Sequence, residues 1–537
     1  MLDNTELPQA AGLRPLSLLE RQQRAVAMQC IDPAKKPGTA DCSQSIWLSF
    51  FFDGTGNNLD NDTPKWKQSN ISRLYSTHDA SNDDTGRYRI YIPGLGTPFP
   101  EIGEPTCSKP GLAFGVGGEK RLQWARRQFD DRIRKGKARA RNPKHPIRMI
   151  NLALFGFSRG AALARAFAVR LARECHNVGD DWQYQGYPIR LYFVGIFDTV
   201  ASTGLPASAK LLDRSPQVKF LTTATFPVLS SVLTLVPKDG HYDWASNLKI
   251  PPMVEQCVHY VAAHEVRDSF PLDSIRDGKS YPRNCVEIAY PGVHSDVGGG
   301  YAPGEQTRSL KDDEKLSQIP LLHMYRAALA AGVPLSPLNG LPPKVQAAFR
   351  LSPGTAARFD AYQMYAQASG PVEKAVAQHL YLLYLARSHL SRLMNDEAAC
   401  ARVPTAKQML AQTGNDDLVK DVELELARIT AGGNAVNQAS ADAETKKLNG
   451  KPLGMREAML ARAYEDVSLI TGSGSTRQLL LDFFDYLVHD SVAGFGSDMS
   501  KLQNWRTMYF GDQGYEPAND WSLVDAEQTG EHTNPVV

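Results

Sequence analysis

The chain lacks several features that would place it in large functional classes. Its seven cysteines, Cys30, Cys42, Cys107, Cys175, Cys257, Cys285 and Cys400, are scattered without a C-x-x-C pair. An odd count without paired spacing argues against a disulfide framework and against zinc, and suits reduced thiols. An excess of either charge is missing too, since 59 Lys and Arg nearly cancel 58 Asp and Glu. No net field therefore draws the protein to nucleic acid or to an anionic surface, and any attraction to a membrane must be local. Met1 to Glu20 lacks the basic start and apolar run of a secretory signal, which points to synthesis in the cytoplasm. No repeat of solenoid period occurs.

What remains is the balance of a globular protein, with 42% hydrophobic and 22% charged residues over 537 positions. That length suits two to four domains, or one sheet domain with large insertions. Residues 1–44 mix polar, Pro and Gly residues and read as an N-terminal arm. From Ser45 short apolar, aromatic and β-branched runs recur: Ile46 to Phe52, Tyr88 to Ile92, Ile147 to Phe155, Ile189 to Phe197, Cys257 to Ala263 and Val286 to Tyr290. Runs this rich in apolar residues predict strands buried on both faces, hence parallel. Helix-like spacing over Glu119 to Ala140 and an alanine-rich stretch over Ala161 to Cys175 alternate with them. This predicts an α/β protein with a doubly wound, mainly parallel sheet over residues 45–301. Beyond it helix signals dominate, at Gln318 to Ala331, Val372 to Leu393, Asp416 to Ile429, Met455 to Leu469 and Arg477 to Val492, predicting a mainly helical region over 302–537 that caps the sheet or docks to a membrane. The stretch after Asp512 reads as a polar tail.

The strongest chemical signal is Gly156-Phe157-Ser158-Arg159-Gly160, between an expected strand and an expected helix. Strand, tight turn and helix make a nucleophile elbow, in which the serine holds a strained backbone angle and a Cβ at either glycine would collide with neighbouring chain. The helix start then points amide hydrogens at a developing oxyanion, with the Arg159 N–H as one donor. A serine needs a base, and the base an orienting acid. Asp198 ends the fourth strand and His294 follows the sixth, so the order Ser158, Asp198, His294 along one sheet edge is that of an α/β-hydrolase. Glu265 and Asp268, after the fifth strand, compete with Asp198 for the acid. His489 competes for the base, with His241, His259 and His264 behind it. The loop Asp53-Gly54-Thr55-Gly56-Asn57-Asn58 follows the first strand, where the second oxyanion donor is expected from the N–H of Gly54 or Thr55, with Asp53 holding the loop in shape.

Four ordered motifs carry a family resemblance: Phe51 to Asn58, Gly156 to Ala161, Phe197 to Val200 and Gly292 to Tyr301. Together they resemble the α/β-hydrolases that include the first class of type VI secretion lipase effectors. The resemblance implies a phospholipase that one bacterium injects into the periplasm of another, with Ser158, Asp198 and His294 as its triad. It also implies a cognate immunity protein and delivery on the secretion spike or an adaptor.

One segment points to lipid without that resemblance. Phe220 to Val236 has no charged residue and is bracketed by Lys219 and Lys238, while Pro227 and many hydroxyls argue against a membrane span. Lying between the fourth and fifth strands, it reads either as an apolar lid, with Phe220, Leu229 and Leu233 as lipid-contact candidates, or as a buried helix pair. The expected reaction is acyl-ester hydrolysis without metal or organic cofactor. A soluble carboxylesterase and a non-catalytic interaction protein on the same scaffold are the alternatives.

Overall fold

The computed structural model describes residues 44–107, 117–142, 145–179, 181–201, 243–267, 269–366, 370–394, 449, 462–463, 466, 475–491, 506–511 and 513–515. The sheet grows from strand β1 (Gln44–Phe52), which lies between β2 (Arg87–Ile92) and β3 (Ile147–Phe157), parallel to both. Strands β4 (Cys175–Val178) and β5 (Asp181–Tyr184) form an antiparallel hairpin. It leads into β6 (Tyr187–Phe197), parallel to β3, and β7 (Cys257–Ala262) continues the parallel path. After the short β8 (Leu272–Asp273), β9 (Cys285–Tyr290) pairs parallel with β7. The parallel order is thus β2-β1-β3-β6-β7-β9, with the hairpin on the first half of β6 and β7 on its second half. All six expected strands are present and mutually parallel. The hairpin, absent from the sequence reading, makes the sheet mixed.

The residues of β1 show why the sheet is buried on both sides. Successive side chains of a strand point to opposite faces. Ile46, Leu48, Phe50 and Phe52 join one apolar cluster with helices α1 (Gly118–Ala140) and α2 (Arg159–Ala172), through Leu122, Phe129, Leu163 and Phe167. Trp47 and Phe51 join the other, which is built with α3 (Gln318–Ala331), α4 (Pro353–Ala366), α5 (Val372–Met394) and α6 (Ser475–Tyr486). The later helices therefore share the core of the sheet.

The described start of the expected polar tail, Gln513–Tyr515, is a strand. Strands β10 (Met508–Phe510) and β11 (Gln513–Tyr515) pair antiparallel, and β10 runs parallel to β8. Three-residue strands show too little alternation to be read locally, and β10 finds its second partner, β8, far away in sequence. The arm over 1–43, Phe220 to Val236 with Phe220, Leu229 and Leu233, the helix expected over Asp416 to Ile429, and most of Met455 to Leu469 lie outside the described residues. Among the described residues no helix is long and apolar enough to cross a membrane.

Candidate active site

Strand β3 runs straight into Ser158, whose φ of 58° and ψ of −127° are an unusual conformation for a residue with a side chain. Such strain costs roughly 1–3 kcal/mol and persists only where neighbours enforce it. Here the Ser158 N–H donates to Phe197 O at 3.0 Å, and its carbonyl accepts from the amides of Ala161 and Ala162. A Cβ on Gly156 would stand 2.5 Å from Ala161 Cα, and one on Gly160 would stand 2.3 Å from the carbonyl oxygens of Phe52 and Asp53. Both glycines of the motif are thus required by the close approach of α2 to the sheet, as the sequence suggested.

Asp198 closes the neighbouring strand with a positive φ of 36°. Its N–H donates to Tyr260 O at 2.7 Å, and its Oδ1 accepts from Ala262 N at 2.8 Å. The next residue is pinned as well: His259 donates through Nδ1 to Glu287, which leaves Nε2 to accept from Thr199 N. His259 is thereby committed inside the sheet. His294 opens a five-residue helical turn, His294–Gly298, just past β9. Its Nδ1 lies 2.6 Å from Asp198 Oδ2. A carboxylate can only accept, so Nδ1 carries the proton and Nε2 is the free acceptor. The ring is held between Phe157 and Phe270, with centroids at 4.6 and 5.1 Å.

The competing candidates have other attachments. Glu265 reaches the backbone of His294, accepting its N–H at 3.2 Å, while Arg267 and Ser491 Oγ occupy the rest of its carboxylate. The ring of His294 meets Asp198 and not Glu265. His489 donates through Nδ1 to Asp296 Oδ1 at 2.6 Å. His264 accepts the Gly292 N–H at Nδ1 and meets the Tyr362 hydroxyl at Nε2. Asp268 and His241 lie outside the described residues.

The loop after β1 corrects one expectation. The Gly54 N–H is donated to Asp53 Oδ1 at 2.8 Å, so it is not available to an oxyanion, whereas nothing in the described residues takes the N–H of Thr55. Asp53 also accepts from the Ser69 and Tyr91 hydroxyls, both at 2.5 Å, which is the loop-shaping role expected of it.

The family model for the catalytic domain of type VI secretion system Tle1-like phospholipase effectors matches residues 48–179 and 172–327, which together exceed half of the 537. The chain belongs to this family. Among solved structures, it is similar to an uncharacterized protein from Pseudomonas aeruginosa, with a TM-score of 0.68 and 24% identity over 94% of this chain and 86% of that one. A Tle1 effector bound to the VgrG spike gives a TM-score of 0.38 at 18% identity, over 63% of this chain and 84% of that one. A carboxyl esterase from Tuber melanosporum gives 0.25 at 12% identity, over 55% and 79%. No curated protein matches.

This Tle1-like chain adds to its site a residue that sequence reasoning missed. Arg506 grips Asp198 with two bonds, Nη1 to Oδ2 at 2.9 Å and Nη2 to Oδ1 at 2.8 Å, and also donates to Ala262 O. Asp198 and Arg506 are 0% and 1% exposed. Burial opposes the charge on Asp198, yet Arg506 and then His294 hold its carboxyl well below the usual range. Burial likewise opposes ionisation of Glu265, and the Arg267 guanidinium overcomes it, bringing Glu265 to about 2. For His294 burial prevails over Asp198 and lowers its affinity for a proton below the ordinary histidine value. The imidazole is therefore neutral at pH 7. Nothing in Trp505-Arg506-Thr507 marks Arg506 as a site residue; the one local cue is the apolar triplet Met508 to Phe510 that anchors it.

Proposed function

We propose that the protein is a serine hydrolase of α/β-hydrolase type that cleaves an acyl ester of glycerophospholipids, as an A-type phospholipase. Ser158 is the nucleophile, His294 the base and Asp198 the orienting acid. The observation that carries this reading is the Asp198–His294 contact at 2.6 Å, with Ser158 on the adjoining strand end at a φ of 58° and its N–H bonded to Phe197 O at 3.0 Å. Membership of a phospholipase effector family supports the substrate class.

The chemistry follows from the atoms available. His294 Nε2 takes the Ser158 hydroxyl proton as Oγ adds to the ester carbonyl, and the oxyanion is received by the N–H groups of Arg159 and Thr55. Collapse breaks the bond to the glycerol oxygen, which leaves with the proton held on His294. Water then adds to the acyl-enzyme by the same base, releasing a fatty acid and restoring Ser158. Asp198 keeps Nδ1 protonated throughout, so that Nε2 is left as the acceptor.

In its biological setting the protein is an antibacterial effector, delivered on the secretion spike or an adaptor into the periplasm of a target cell, with an immunity protein protecting the producer. This part of the proposal rests on family membership. A fluorophosphonate probe tests the chemical core: it labels the wild-type protein at Ser158 and fails to label His294→Ala. Labelling of another residue, or none, removes the proposed nucleophile.

A further inference from the structure

An acid and a base in a proton-transfer pair are usually left to each other, but here a third charge is built in. Arg506 comes from 308 positions further along the chain than Asp198 and faces it with both terminal nitrogens. The positions are enforced from both sides. Leu272 N donates to Thr507 O and Ser274 N to Tyr509 O, so the strand pairing of β8 with β10 fixes the backbone just after Arg506. On the other side Ala262, at the end of β7, both donates its N–H to Asp198 and accepts from Arg506. Asp198 Oδ1 thus holds Ala262 N and Arg506 Nη2, while Oδ2 holds His294 Nδ1 and Arg506 Nη1. Every favourable acceptor direction of the carboxylate is used, and its plane cannot turn.

We infer that Arg506 is a positioning residue for the Asp198–His294 pair: it fixes the carboxylate so that Oδ2 meets the imidazole, and by cancelling part of its charge it weakens the pull of that carboxylate on the ring. This rests on the proposed roles of Asp198 and His294. An anion beside a histidine favours the imidazolium, and a cation on the far side of that anion opposes it. In a dry site the opposition is poorly screened.

Burial is the largest influence that disfavours a proton on His294, and the groups packed around the ring add to it with either sign. Phe157 from β3 and Phe270 bring no charge. After β7, Glu265 favours the protonated ring and Arg267 disfavours it, and the two are bound to each other. Asp296, on the same helical turn as His294, is engaged by His489. Arg506 is the cation bound directly to the acid.

The test is the pH profile of kcat/KM on a short soluble ester for wild type, Arg506→Gln and Arg506→Lys, each checked by a thermal melt. Wild type should show an acid limb below the ordinary histidine value of about 6.5. Arg506→Gln should move that limb up by roughly one pH unit, as expected for loss of a neighbouring cation. Arg506→Lys retains a charge without the two-pronged grip, so its limb should stay near wild type while kcat falls. A limb that does not move in folded Arg506→Gln overturns the inference, as does Arg506→Lys behaving like Arg506→Gln. If Arg506→Gln does not fold, Arg506→Lys decides alone: a kcat equal to that of wild type overturns the inference. The proposed mechanism fails separately, through activity surviving in His294→Ala.

Discussion

His489 is paired with Asp296 as His294 is with Asp198: Nδ1 lies 2.6 Å from Asp296 Oδ1, and the ring stacks at 3.8 Å on Tyr301. Its N–H also donates to Asp296, at 3.0 Å, and its Nε2 is buried without a hydrogen-bond partner in the described residues. This second pair ties the segment after α6 to the turn that bears His294. It therefore acts by holding that turn in place. His489→Ala should lower the melting temperature and reduce activity less than about tenfold, whereas His294→Ala should cost at least about a thousandfold with little change in melting. Parallel assays and melts decide it, and the reverse ranking would move the base to His489.

The two carboxylates near His294 are separable by the same logic. Asp198 meets the imidazole, while Glu265 meets only the backbone amide of His294. Asp198→Asn should cost at least about a hundredfold in kcat, because an amide can donate and so no longer dictates which nitrogen carries the proton. Glu265→Gln keeps an acceptor for the backbone and should cost far less. Equal losses in steady-state assays would contradict the assignment.

Asp53 gives a pH signature of stability. Burial raises its carboxyl to about 6 from 3.8, against the bonds from Ser69, Tyr91 and Gly54. A group raised on folding contributes stability that is fully present below its unfolded value and lost as pH rises through the folded one. Relative to Asp53→Asn, the wild type should thus lose about 2 kcal/mol between pH 4 and pH 7. Denaturant unfolding of both proteins at the two pH values measures it. A constant difference would mean that Asp53 is not buried as an acid.

The parts of the site that were legible in the sequence are those whose cause is local. Ile46 to Phe52 is apolar at every position but Ser49 because β1 is covered on both faces, and Gly156 and Gly160 flank Ser158 because α2 leaves no space for a Cβ. Asp198 and His294 were read from their place at strand ends, and their side chains meet at 2.6 Å. Arg506 was not, since a single arginine in a short segment gives no pattern, and its partner lies across the fold. The β4–β5 hairpin escaped for a different reason: Cys175 is its only buried residue in β4, so no apolar alternation announces it. Gly54 was offered as an oxyanion donor because glycines suit such loops, but its amide answers to its own neighbour Asp53.

The central claim is that Ser158 cleaves an acyl ester of a phospholipid, and the most direct measurement is mass spectrometry of products from vesicles whose phospholipid carries a different acyl chain at each glycerol position. Wild type should release free fatty acid and the matching lysophospholipid in equal amounts, and the chain released identifies the position cut. Ser158→Ala, which removes only a hydroxyl, should fold normally and release less than about a thousandth as much. Hydrolysis of short soluble esters with intact vesicles would make the protein a carboxylesterase instead, and Ser158→Ala retaining more than about a tenth of the wild-type release would contradict the account.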